Sequence, residues 1–190
     1  MKLNIPVVLG SVRQKRRSIH PANWMVEQIR QAGHNTQLVD FAELPLPFFD
    51  SESVPVALKG KYPNENAQKW SNAAQSADAF VLIVPEYNHG YSAVMKNALD
   101  WLYMEFTKKP FGMVGVSDGS FGGIRAIEQL RQVIENFGAF AIRETVNFGM
   151  VQDKFSESGE LLDQAYIKRA ERFLNALVFF AEAMKKAREK

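Results

Sequence analysis

The chain lacks cysteine and a strong excess of either charge, and each absence excludes classes of function. Without cysteine there is no disulfide, no thiolate ligand for zinc or an iron–sulfur cluster and no cysteine nucleophile. This composition fits a reducing, cytoplasmic setting. The 23 basic and 21 acidic residues leave a net charge of +2, which argues against nucleic acid as the main partner. The 3 histidines are scattered, so we expect no metal site.

Long hydrophobic runs are also missing from the sequence. No stretch approaches the ~18 apolar residues that a membrane helix needs, so we expect neither a membrane span nor export. Hydrophobic residues nevertheless make up 46% of the 190 positions, which is enough to bury a sizeable core. We therefore expect one domain over residues 1–190.

Apolar, branched runs alternate with amphipathic segments along the chain. The predicted strands are 5–9, 36–39, 79–84, 111–117 and 140–148. The predicted helices are one between Ser18 and Gly33 and others over 64–77, 92–105, 123–136 and 161–188. The proline-rich residues 43–63 are predicted to form a long loop that borders a site. Pro85 is predicted to end the third strand. This alternation predicts an α/β fold, a five-stranded parallel sheet with helices on both faces.

Ligands of doubly wound sheets bind at the carboxyl ends of the strands, which singles out loops 10–18, 85–92 and 117–123. The first loop reads GSVRQKRRS and leads into a helix. Hydroxyls and guanidinium groups at a helix N-terminus favour a phosphate, whereas the alternative is a solvated basic loop. Neither a GxxxxGK[ST] nor a GxGxxG pattern is present, so a mononucleotide is favoured over a P-loop or dinucleotide ligand.

The second loop contains Tyr87 and Tyr91 with Asn88 and Gly90 between them. Flat side chains and accessible amides suit a planar heterocycle, while the alternative is an ordinary aromatic turn. From the loop sequence alone, we interpret His89 as an ordinary loop histidine. We interpret Glu86 as a helix cap or a solvent-facing carboxylate.

The third loop contains a GxSxG pattern at 115–119, typical of the nucleophile elbow of α/β-hydrolases. A serine hydrolase using Ser117 is therefore an alternative. Its base would follow the serine in the chain, yet His20, His34 and His89 all precede it.

Taken together, GSVR, PEYN followed by KNALDWL, and Ser117 with its neighbouring glycines resemble the NAD(P)H-dependent FMN reductase family, which has a flavodoxin-like fold and includes quinone and azo-dye reductases. For the FMN phosphate, the resemblance implies Ser11, Arg13 and Ser18, with Arg16 as an added candidate. For the isoalloxazine ring, it implies Pro85, Glu86, Tyr87 and Asn88 on one side and Ser117, Asp118 and Gly119 on the other. In the first loop the chain departs from many relatives, because Arg16 stands where they have a serine.

The resemblance also implies the activity. Hydride would pass from NADPH or NADH to FMN, and two electrons would then reach a small-molecule acceptor such as a quinone, an azo compound or a flavin. The cofactor carries this chemistry, so no catalytic side chain is expected. A flavodoxin-like electron carrier is the alternative. Apolar residues within 94–106 and 177–180 exceed one buried face, and with the resemblance they predict a homodimer or homotetramer.

Overall fold

The computed structural model describes residues 1–189 and consists of a sheet between two helical layers. The strands are β1 (Val7–Leu9), β2 (Leu38–Asp40), β3 (Phe80–Tyr87), β4 (Gly90–Tyr91), β5 (Pro110–Val116) and β6 (Phe140–Phe148). The helices are α1 (Ile19–Gln31), α2 (Pro55–Leu58), α3 (Glu65–Ser76), α4 (Ala93–Asp100), α5 (Ile124–Asn136) and α6 (Ala165–Arg188). A short 3₁₀ turn follows β6 at Val151–Asp153.

The sheet order is β2-β1-β3-β5-β6, with neighbouring strands parallel. This confirms the predicted parallel sheet and matches the strand order of flavodoxin-like proteins. Two-residue β4 adds an antiparallel partner to the end of β3, which the sequence analysis did not predict. The strand order reverses between β1 and β3, and a ligand crevice is expected at that point.

Each face of the sheet carries its own hydrophobic core. One core packs α1 and α6 against the sheet, and the other packs α3, α4 and α5. Strand β1 serves both, because Val7 and Leu9 face the first core while Val8 faces the second, as the period of two in a strand requires.

The prediction that Pro85 ends the third strand is wrong, because β3 continues to Tyr87. The backbone N–H of Val81 donates to Pro6 O, just before β1. In β3, the nitrogens of Val81 and of every second residue after it therefore face β1. Pro85 lies on that side, but β1 already ends at Leu9. The missing N–H therefore costs the sheet no hydrogen bond.

The predicted long loop contains the short helix α2 and packs over α3 and α4. Asn97 of α4 accepts from the backbone N–H of Phe49 at 3.1 Å and donates to Pro47 O at 2.9 Å. The indole of Trp101 also donates to Pro47 O, at 2.8 Å. The loop borders a cavity of about 360 Å³ whose lining is mainly apolar and includes Val12 of the first loop.

Two predicted helix boundaries differ from the structure by four or five residues, and one of these differences changes which apolar residues are exposed. Helix α4 ends at Asp100 rather than at residue 105, and α6 begins at Ala165 rather than at residue 161. Because the chain turns inward after α4, Trp101 and Phe106 are buried in the second core, and they do not contribute to an exposed apolar face. None of the helices in the described part of the chain has the length and hydrophobicity of a membrane span.

Candidate functional site

The loop after β1 turns at the sheet reversal and is held by its neighbours. A Cβ at Gly10 would lie 2.8 Å from Ile83 O and 2.8 Å from the side chain of Met95, so only glycine allows this approach to β3. The hydroxyl of Ser92 donates to Gly10 O at 2.6 Å and accepts from the N–H of Met95 at 3.1 Å. Ser92 thus caps α4 and fixes the start of the loop.

Two further contacts hold Ser11. Its hydroxyl lies 2.7 Å from the Tyr87 hydroxyl, which joins the first loop to the end of β3. Its carbonyl accepts from Nη1 of Arg16 at 2.9 Å, while Nη2 of the same guanidinium pairs with Asp40. Arg16 is therefore committed to the protein itself, and its charge is largely compensated.

Arg13, Arg17 and Ser18 supply further polar groups of this loop. No hydrogen bond found within residues 1–189 uses the backbone N–H of Arg17 or Ser18, which precede the first turn of α1. Such amides at a helix start, with two guanidinium groups beside them, form a site for an anion. Arg17 also approaches Asp118 of the opposite loop at 3.6 Å, and both side chains are largely exposed.

These elements border a half-open cavity of about 60 Å³. Its lining is Ser11, Arg13, Arg16, Arg17, Ser18, Pro85, Glu86, Tyr87, Val116, Ser117, Asp118 and Val151. All the predicted site residues are among them except Asn88 and Gly119. Sequence reasoning missed Arg17, Val116 and Val151. The basic run that singled out Arg16 extends to Arg17 and was the available signal for it.

Asn88 lies in a tight hairpin at the edge of the site. Asn88 and His89 have φ values of 51° and 68°, and Tyr87 pairs with Gly90 across the turn. Positive φ at both central residues is typical of a type I′ turn, in which asparagine is favoured. Both side chains are exposed to solvent, and neither lines the cavity.

Glu86 caps helix α5. Its carboxylate accepts from the backbone N–H of Arg125 at 3.2 Å and from the Arg125 guanidinium at 3.2 Å, and its side chain is only 8% exposed. The N-cap residue itself is Gly123, which has no side chain to do this. The interpretation of Glu86 as a helix cap is confirmed.

The GxSxG segment is explained by packing. The Ser117 hydroxyl donates to Gly119 O at 2.7 Å and accepts from the Gly122 N–H at 2.9 Å, so it closes its own loop. A Cβ at Gly115 would lie 2.1 Å from Gly122 O. No histidine is hydrogen-bonded to Ser117 among the described residues, and this arrangement lacks the base that a serine nucleophile needs.

The residues present fit the phosphate end of FMN. A liquid water occupies ~30 Å³, so a cavity of about 60 Å³ suits a small anion, whereas drug-sized ligands fill ~300–1,000 Å³. The remainder of FMN would therefore have to lie on the open side of the cavity, which Tyr87 borders. Within residues 1–189 no cluster of three histidine, aspartate or glutamate side chains is arranged to hold a metal ion.

Comparison with known proteins points to the same chemistry. The family described as NADPH-dependent FMN reductase matches residues 3–153 of the chain. An NAD(P)H-dependent FMN reductase of Schizosaccharomyces pombe is 38% identical over 130 residues, 68% of this chain. The aligned part spans 64% of that relative's length. An FMN-dependent NADPH-azoreductase of Staphylococcus aureus is 27% identical over 178 residues, 92% of this chain and 93% of its own.

Among solved structures, a flavoenzyme NAD(P)H:(acceptor) oxidoreductase from Paracoccus denitrificans superposes with a TM-score of 0.79 at 21% identity. The superposition covers 96% of this chain and 98% of that protein. At this identity the likeness concerns the fold, and it agrees with the strand order described above.

Proposed function

The chain belongs to the NADPH-dependent FMN reductase family, and from that premise we propose that it is an NAD(P)H-dependent oxidoreductase with FMN as cofactor. FMN supplies the two-electron hydride chemistry when bound, so the protein needs no catalytic acid or base of its own. The observation that carries the proposal is the cavity at the sheet reversal, where the first loop brings hydroxyls, guanidinium groups and free amides around a space of phosphate size.

The side chains of this cavity divide into ligands and supports. Arg13 and Arg17 would compensate the phosphate charge, with Ser18 and the loop amides as hydrogen-bond donors. Pro85 and Tyr87 would border the ring on the side of β3, with Asp118 opposite them. The remaining predicted contacts would come from Ser11, Glu86, Asn88, Ser117 and Gly119, several of which already hold the loops in place. Arg16 is already held by Ser11 O and Asp40, so we count it among the supports.

For the electron acceptor we propose a small molecule of quinone, azo or flavin type. The azoreductase name of a relative aligned over 92% of the chain supports this class. The donor is NADPH or NADH.

We further propose a single-domain, cytoplasmic protein that acts as a homodimer or homotetramer. The exposed side chains of Met104 and Phe179 provide apolar surface for such contacts. Sedimentation at micromolar concentration tests the assembly, and a single 21.5 kDa species would exclude it.

The anaerobic absorption spectrum with FMN, before and after addition of NADPH, tests the function directly. We expect bound flavin that bleaches promptly and is reoxidised by a quinone. Failure to bind FMN would overturn the proposal. Binding without bleaching would favour the electron carrier instead, and labelling of Ser117 by an acyl-ester probe would favour the hydrolase.

A substitution of Arg17 tests whether the phosphate of FMN binds in this cavity. Arg17→Gln removes a guanidinium from the cavity, and we expect it to weaken FMN binding about tenfold while leaving riboflavin binding unchanged. Lys15→Gln is the matched control, because it removes the same charge from the same loop at a side chain that does not line the cavity. Equal effects of the two variants on FMN affinity would mean that only the overall charge matters.

A further inference from the structure

Arg16 and Asp40 form a largely buried ion pair at the edge of the phosphate cavity. We infer that this pair positions the first loop for the phosphate and that Arg16 does not itself contact the phosphate. The inference rests on the proposed function and assigns a role to Asp40, which neither the motif nor the cavity lining includes.

The contacts of the pair join two strand ends to the loop. Asp40 is the last residue of β2 and stands beside Leu9 of β1 in the parallel register. One carboxylate oxygen binds the Arg16 guanidinium, and the other accepts from the backbone N–H of Ala42 at 3.0 Å. The second arm of the guanidinium donates to Ser11 O at 2.9 Å. Arg16 therefore spans from β2 to the residue that follows Gly10.

Burial restrains both side chains of the ion pair. The side chains of Arg16 and Asp40 are 14% and 11% exposed, so neither is free to swing into solvent. An arginine can make both contacts because its planar guanidinium carries donors on two arms. A lysine ammonium at the same place has no comparable fork and is not expected to hold Asp40 and Ser11 O at once.

The electrostatics separate this role from direct binding. A carboxylate beside a phosphate site repels the ligand, so its removal should tighten binding if Arg16 is a phosphate ligand that Asp40 competes for. If the pair instead holds the loop amides in place, removal of the carboxylate loosens the loop and weakens binding. The two roles of Arg16 thus predict opposite changes in FMN affinity for Asp40→Asn.

The experiment measures dissociation constants for FMN and riboflavin, together with the thermal midpoint of the flavin-free protein. For Asp40→Asn and for Arg16→Lys we expect the FMN dissociation constant to rise about tenfold, with riboflavin unchanged. The Asp40→Asn/Arg16→Lys double variant should be no weaker than the worse single variant, because both changes break one unit. Glu43→Gln, which removes an exposed carboxylate from the same connection, is the control and should change nothing.

Tighter FMN binding by Asp40→Asn would overturn the inference, since it would mean that Arg16 is released to the phosphate. Equal losses for FMN and riboflavin, with a lower midpoint, would also overturn it, because the pair would then only stabilise the fold.

Hydrogen exchange of the amides at residues 11–18 in the flavin-free protein gives a reading that does not depend on FMN. Faster exchange in Asp40→Asn than in Glu43→Gln supports the positioning role, and unchanged exchange contradicts it. If the wild-type protein bound no FMN, the proposed function would fail, while this measurement would still decide whether the pair holds the loop.

Discussion

At the scale of single residues, steric contact determines how the loop after β5 is built. The glycine that opens the GxSxG segment faces the carbonyl of Gly122, and Gly122 and Gly123 have φ values of 61° and 78°. Glycine enters this left-handed region without the steric penalty that most other residues pay. The loop therefore folds back on the strand that precedes it, and the serine hydroxyl ties the fold closed.

Replacing Gly115 with alanine tests this explanation. The added Cβ would lie 2.1 Å from Gly122 O and 2.8 Å from Nδ2 of Asn147, so the loop or strand must shift. We expect a loss of about 1–3 kcal/mol or more in the free energy of unfolding, measured by urea denaturation of the flavin-free protein. Gly119→Ala is the control, since a Cβ there would meet nothing within 4 Å. Similar losses in the two variants would contradict the packing argument.

Individual site residues were predictable where topology alone places them. Ser11, Pro85 and Ser117 each stand at or just beyond the carboxyl end of a parallel strand, and such ends meet at one edge of a sheet. The partner of Arg16 was not predictable, because Asp40 is 24 residues away and is brought near by the register of β1 and β2. The exposed position of Asn88 depends on the turn type. The central residues Asn88 and His89 are not one of the glycine-containing pairs that are typical of type I′ turns.

At the scale of secondary-structure elements, helix α5 depends on a side chain from another element. Glu86 of β3 accepts from the Arg125 N–H in the first turn, where the helix dipole also favours a negative charge. Glu86→Ala removes the cap, and we expect it to lower the free energy of unfolding by about 1–2 kcal/mol in urea titrations.

Glu86→Gln keeps a neutral acceptor for the same N–H and should cost less than alanine. Glu128→Gln is the matched control, because Glu128 is an exposed carboxylate on the same helix, paired with the partly buried Arg131. A pair whose carboxylate is exposed to solvent contributes little, so its loss should stay below about 0.5 kcal/mol. A Glu128→Gln loss as large as that of Glu86→Ala would show that α5 needs surface charge rather than a cap.

Element types followed from hydrophobic periodicity, but several boundaries did not. The continuous apolar run of β3 predicted a buried strand, and the structure confirms it. That Pro85 continues the strand depends on where its neighbour β1 stops, which a local pattern does not contain. The same holds for α4, where Trp101 leaves the helix to pack beside Phe49 and Tyr62 of the long loop.

At the scale of the whole molecule, a buried cation links α3 to the sheet. Lys109 precedes β5, is 7% exposed and donates to Ala74 O at 2.7 Å and Gln75 O at 3.0 Å, in the last turn of α3. A cation suits the negative end of the helix dipole. Burial, together with the nearby Arg188, nevertheless lowers the pKa of Lys109 to about 8, although Asp78 and Glu105 oppose the shift.

This shift makes the stability of the fold depend on pH. Between about pH 8 and pH 10 the unfolded chain keeps the Lys109 proton while the folded protein loses it, so stability rises with pH. From pH 7 to pH 10 we expect a gain of roughly 2–3 kcal/mol in the free energy of unfolding from this group. Burial and Glu105 raise the pKa of Tyr62, so its folded form retains a proton above pH 10 and stability falls again there.

Urea denaturation of the flavin-free protein at several pH values measures this dependence. Lys109→Met keeps an apolar stem of similar length without the ammonium group, and we expect the rise between pH 8 and pH 10 to disappear. Lys61→Met, at an exposed lysine, should leave the rise intact. Because the ionised lysine is the costly form in the fold, a wild-type stability that instead fell from pH 8 to pH 10 would mean that the contacts to α3 outweigh burial.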